Sequence, residues 1–125
     1  MRTAKGDMKI VIFNEDLRSE MQMYLALSNH FDVSIAEDED DLMQLLDSYR
    51  ADYTFLDLDG GLEKPGRNER VLEIATRIQQ KHPKIELVGI CNRKDDTVTQ
   101  RVAGYGIKRV VTRPIKNREV LEMLN

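Results

Sequence analysis

The sequence predicts an α/β fold, a parallel sheet of five strands with helices on both faces, and three observations carry that prediction. Five short apolar runs rich in β-branched and aromatic residues recur along the chain. The stretches between them show helical periodicity, and each is long enough to cross over a sheet. Strict alternation of this kind means parallel strands, because a right-handed crossover takes about a dozen residues and returns the chain in its original direction.

The first run, Met8–Phe13 (MKIVIF), follows a stretch, MRTAKGD, that reads as a loose lead-in. A helix comes next, on which Leu17, Met21, Tyr24 and Leu25 recur at spacings of three and four and so form one apolar stripe. The second run is Phe31–Ala36 (FDVSIA). The acidic stretch 37–41 (EDEDD), which includes Asp38, suits the positive end of the helix that follows, and Leu42, Leu45 and Leu46 give that helix its face. The third run is Tyr53–Leu58 (YTFLDL). Its helix carries Val71, Ile74, Ala75 and Ile78 and closes at Lys81–Pro83. Ile85–Cys91 (IELVGIC) is the fourth run, with a weaker helix marked by Val98 and Val102 beginning near Asp95 and Asp96. Lys108–Thr112 (KRVVT) is the fifth, and a short helix over Asn117–Asn125 carries Val120, Leu121 and Leu124.

With 125 residues and an apolar fraction of 41 %, the chain is the size of one domain with one modest core. A short last helix would suit the front part of a longer protein. No run of about 18 apolar residues occurs, and the first residues lack the apolar stretch of a secretory signal, so a cytoplasmic protein without membrane attachment is expected. The single cysteine, Cys91, has no internal partner for a disulfide.

Charge is unevenly distributed. Residues 1–62 carry 14 acidic against 5 basic side chains, and residues 63–125 carry 8 against 14. The basic half is spread over several elements without interleaved aromatics, which reads as solvated faces and not as a nucleic-acid surface. His30 and His82 fall at helix ends without metal-ligand spacing and are expected at the surface. The methionines fall mostly on helix faces, where packing accounts for them.

Open parallel sheets place their ligands outside the carboxyl ends of the strands. Here the first strand ends in Asn14-Glu15-Asp16, the third in Asp57-Leu58-Asp59, the fourth in Cys91-Asn92 and the fifth in Arg113-Pro114. If the first and third strands are neighbours, Glu15 and Asp57 approach one another, and two carboxylates in one cleft call for a cation or a shared proton. Oxygen ligands with several waters favour magnesium.

These residues resemble the response-regulator receiver domain, the family of phosphorylatable switch modules of bacterial two-component signalling. The resemblance runs from Lys9 to Leu124 and centres on ADYTFLDL, where Asp57 falls at the family's phosphoacceptor position. It implies the flavodoxin-like strand order 2-1-3-4-5. It also implies a magnesium site with Glu15 and Asp57 as direct ligands, the backbone carbonyl of Asp59 as the third, and Asn14 acting through water. Cys91 stands where the family has a threonine or serine to hold a phosphoryl oxygen, and a thiol is the weaker donor. Arg113-Pro114 stands where the family has a lysine followed by a cis proline, so a planar fork replaces a point charge. Val110 stands where the family commonly has an aromatic that turns inward on activation. The loop from Asp59 (DGGLEKPGRNER) is longer than is common and lacks the family's Met-Pro pair.

The function this resemblance implies is a switch, not a turnover enzyme: Asp57 accepts a phosphoryl group from a sensor histidine kinase or phosphotransfer protein, with slow self-phosphorylation and dephosphorylation at most. The acyl phosphate would then shift the fourth helix, fifth strand and fifth helix and so alter contacts with a downstream protein or output domain. A homodimer through the fourth and fifth helices is a further family expectation. The alternative is a pseudo-receiver, a phosphorylation-independent interaction module of the same fold. A third reading starts from the same aspartates: Asp-Leu-Asp-Gly after an apolar strand also resembles the opening motif of haloacid-dehalogenase-type phosphatases. That motif usually ends the first core strand, whereas two βα units precede it here.

Overall fold

The computed structural model describes residues 8–13, 17–48, 51–58, 67–92 and 96–124, with the backbone alone at 17, 19 and 67–69. Ten elements alternate along it: β1 (Lys9–Phe13), α1 (Leu17–Leu27), β2 (Asp32–Ile35), α2 (Glu39–Ser48), β3 (Tyr53–Asp57), α3 (Arg67–Lys81), β4 (Glu86–Cys91), α4 (Asp96–Ala103), β5 (Ile107–Thr112) and α5 (Asn117–Met123). Every expected strand is present with its ends displaced by no more than a residue. All four strand pairings are parallel and the sheet order is β2-β1-β3-β4-β5.

Side chains on successive strand residues point to opposite faces, and each face of the sheet has its own core. On one side Ile10, Ile12, Phe55, Val88, Ile90 and Val111 pack with Met23 and Leu27 of α1 and Val120 of α5. On the other, Val11, Leu56, Leu87, Cys91, Ile107 and Val110 pack with the inward faces of α2, α3 and α4. Ile107 and Val110 share a face although they are three positions apart, which simple alternation forbids. A register shift resolves this: Leu87 pairs with Ile107, but Val88 pairs with Arg109, so one extra residue is accommodated in β5. That bulge sets the facing of every residue from Val110 onwards.

Local signals explain the start of α2 and the exit from α4. The carboxylate of Asp38 accepts a hydrogen bond from the Asp41 amide at 2.8 Å, capping α2 as its acidic start suggests. Glu39, in the first turn of α2, receives Arg70 and Arg77 from α3, which ties the two helices together. Gly106, with φ of 90°, reverses the chain between α4 and β5 in a conformation that a side chain would disfavour.

Helix α1 departs from the expected stripe. Met21, Tyr24 and Leu25 are 53 %, 39 % and 63 % exposed, whereas Met23 and Leu27 are fully buried. The helix carries apolar residues on two sides, and the side that meets β1 and α5 is the one that is covered. Gln22 assists the docking by donating from Nε2 to the Ile115 carbonyl.

Among the described residues, no helix is long and apolar enough to cross a membrane.

Candidate functional site

The carboxyl ends of β3, β4 and β5 bring Asp57, Asn92 and Arg113 together. Hydrogen bonding of sheet type continues one residue beyond the strands: the Leu58 amide donates to the Ile90 carbonyl at 2.7 Å, and the Arg113 amide to the Cys91 carbonyl at 2.9 Å. Both backbones are therefore fixed where the functional side chains leave them. Asp57 is 3 % exposed, and a carboxylate so deeply buried requires a charged or hydrogen-bonded partner. Arg113 supplies one, its Nη2 lying 2.9 Å from Asp57 Oδ1 while its own side chain is 13 % exposed. The other terminal nitrogen, Nη1, donates to Asn92 Oδ1, also at 2.9 Å. The guanidinium is thus divided between two acceptors on two different strands.

The supporting residues come from the core beneath. Gly89 of β4 faces Leu58, and a Cβ there would lie 2.7 Å from Leu58 Cδ1. Close packing of the residue after Asp57 thus depends on the absence of a side chain in the neighbouring strand. Val110 pairs in register with Gly89 and is 6 % exposed. Cys91, 1 % exposed, belongs to the same α2–α4-side core. The Arg113–Pro114 peptide is cis.

Of the residues singled out in the sequence, Asp57, Cys91, Val110, Arg113 and Pro114 lie at this end of the sheet, and Asn14, Glu15 and Asp59 fall outside the described residues. No group of three or more His, Cys, Asp or Glu that could hold a metal occurs among the described residues. Asp57 alone of the expected magnesium ligands is described, and an anionic oxygen is the donor type that magnesium takes. Asn92 has no assigned part in the sequence reading beyond ending the fourth strand. Its signal is its place: a polar side chain at the carboxyl end of a strand beside the one that ends in Asp57.

A second aspartate with basic partners lies at the opposite end of the sheet. Asp47, near the end of α2, sits 2.9 Å from His82 Nε2 and 3.3 Å from Lys81 Nζ at the end of α3. The hydrogen bond with His82, followed by that with Lys81, holds the Asp47 carboxyl below the usual carboxylate range. His82 is accordingly half-buried against α2 and not a freely solvated surface residue.

No protein-family model and no curated protein matches the sequence. Solved structures do resemble it. A response regulator from Thermotoga maritima superposes with a TM-score of 0.81 at 19 % identity, covering 94 % of this chain and 93 % of its own. The N-terminal signal receiver domain of a two-component response regulator from Bacteroides fragilis gives 0.78 at 20 % identity over 93 % and 92 % of the two chains. An orphan response regulator of H. pylori gives 0.77 at 14 % identity over 96 % and 95 %. Identities of this order speak for architecture, and the strand order and the alternating helices agree: the chain has the fold of the response-regulator receiver domain.

Proposed function

We propose that this chain is a receiver module in two-component signal transduction, phosphorylated on Asp57 by a sensor histidine kinase or phosphotransfer protein. The observation that carries the reading is the buried pair of Asp57 and Arg113 at the carboxyl ends of β3 and β5, the two strands that flank β4 in this fold. An exposed cation would find many carboxylates; one drawn into a buried position beside a strand-terminal aspartate is placed for an anionic group that arrives there.

In the reaction, an oxygen of the Asp57 carboxylate forms a bond to phosphorus as the P–N bond of a phosphohistidine breaks, and the departing imidazole nitrogen keeps the electron pair and takes up a proton. The product is an acyl phosphate. Arg113 neutralises negative charge on the transferred oxygens. Magnesium, held by Asp57 with Glu15, the Asp59 carbonyl and water on Asn14, would supply further neutralisation. Hydrolysis of the acyl phosphate by water returns the carboxylate and inorganic phosphate. The output is a change in protein contacts, so the module is a switch in the cytoplasm and not a turnover enzyme.

A pseudo-receiver is the second reading, and it draws on the same pair: a carboxylate already neutralised by Arg113 is a poorer nucleophile, and Val110, buried in the core, offers no aromatic to turn inward. Beryllofluoride with magnesium mimics the acyl phosphate and separates the two. Amide NMR shifts spreading from Asp57 towards α4 and β5 in the wild type, absent in Asp57→Asn, are the expected result. Indifference of both proteins would replace the phosphorylated switch by the pseudo-receiver.

A further inference from the structure

We infer that Asn92 is the positioning residue for Arg113: it holds Nη1 of the guanidinium while Nη2 engages Asp57 Oδ1. The inference deepens the receiver reading and takes its functional meaning from it.

Arginine presents its two terminal nitrogens as a fork matched in width to a carboxylate, and left to itself beside one it tends to close on both oxygens. Here the fork is split. Nη1 lies 2.9 Å from Asn92 Oδ1 and Nη2 lies 2.9 Å from Asp57 Oδ1. Two contacts at the ends of a planar group fix the plane as well as the position. The backbone contributes as well, since the Arg113 amide donates to the carbonyl of Cys91, the residue before Asn92, and so β4 anchors Arg113 at both its main chain and its tip.

Asn92 suits this task better than a carboxylate would. A second anion beside Arg113 would compete with Asp57 for the cation and repel an arriving phosphoryl group; a neutral amide oxygen directs the fork without either cost. Asn92 is also solvent-exposed, in contrast to the two residues it joins. Its removal leaves no cavity in the core, so its effect is separable from folding.

The consequence for the site is that Asn92 limits the hold of Arg113 on Asp57. Without it the fork closes on the carboxylate or wanders, and in both cases it is misplaced for oxygens carried on Asp57.

The test uses the whole chain and has two readings. Rotation of the Arg113 guanidinium, followed by NMR of its side-chain nitrogens and assigned with Arg113→Lys, reports the positioning by itself. Slow rotation is expected in the wild type and in Asn92→Asp, which keeps an acceptor, and fast rotation in Asn92→Leu. Equal rotation in wild type and Asn92→Leu overturns the inference. Beryllofluoride affinity in magnesium then reports the functional meaning: Asn92→Leu should weaken it roughly three- to tenfold, with no further loss from Asn92→Leu in the Arg113→Ala background. Tighter binding in Asn92→Leu would show that the amide competes with the phosphoryl group for the fork, and would overturn the positioning role. If the wild type does not respond to beryllofluoride, the receiver reading fails, and the rotation measurement still decides whether Asn92 positions Arg113.

Discussion

Asp57 and Asp47 are both aspartates that meet cations, at opposite ends of the same sheet, and they differ in almost everything else. Asp57 and Arg113 have side chains 3 % and 13 % exposed, whereas Asp47 and Lys81 stand 48 % and 53 % exposed. Asp57 is the last residue of a central strand, and Asp47 lies near the end of a helix, where its partners come from the end of another. Charge pairing alone therefore does not mark a site. What sets Asp57 apart is that it is desolvated together with its arginine, whereas Asp47 joins two helix ends in solvent, where such pairs contribute little.

Removing the cation from the buried end should have the largest effect. Arg113→Ala leaves Asp57 buried without its arginine and should lower stability by about 3 kcal/mol in urea denaturation. Asp57→Asn added to that background should recover most of the loss, because the neutral amide no longer needs a cation. Loss without recovery would mean that Arg113 acts through packing and would weaken the contrast.

A smaller effect of opposite sign is expected from Thr54. Its hydroxyl is completely buried on β3, three residues before Asp57, and Oγ1 has no hydrogen-bond partner among the described residues. Thr54→Val should raise stability by about 1 kcal/mol, since an unsatisfied buried hydroxyl gives way to a methyl of similar shape. It would show that buried polarity on this strand is costly unless it is paired.

The smallest effect should come from Asp47→Asn. The carboxyl of Asp47 is held below its ordinary value by His82 and Lys81, so its contribution is present above the unfolded-state value and is lost as pH falls through the lower, folded one. The difference in urea midpoint between wild type and Asp47→Asn should accordingly be visible near neutrality and should fade as pH falls below the ordinary carboxylate range. A difference that grew on acidification would reverse the sign argued here.

The strands were legible because each is a short run rich in β-branched or aromatic residues, and β1, β3 and β4 come nearest to the apolar run of a strand buried on both faces. The fold class followed from their alternation, but the order of the strands did not; it came with the resemblance and is seen in the sheet. The α1 stripe illustrates what periodicity cannot decide. Met21 with Leu25 and Met23 with Leu27 are both apolar pairs at a spacing of four, and the choice between them is made by β1 and α5 across the interface. The β5 bulge was hidden for a related reason, since Lys108 and Arg109 are polar neighbours whose facing depends on pairing with β4. At the site, Asp57 and Arg113 could be read from strand ends because both carry charge where a ligand would sit. Asn92 gave no such signal, since a neutral amide gains its part only from the guanidinium that the fold brings to it.

The two cores share no buried residue, and the sheet stands between them as a partition. Substitutions on opposite sides that lie farther apart than about 10 Å should have additive effects, so each layer of helices is free to drift in sequence without compensation in the other. That independence ends where Arg113 reaches from the end of β5 to Asp57 and Asn92. Those few positions, more than the cores themselves, are where descendants of this sequence would have to change together.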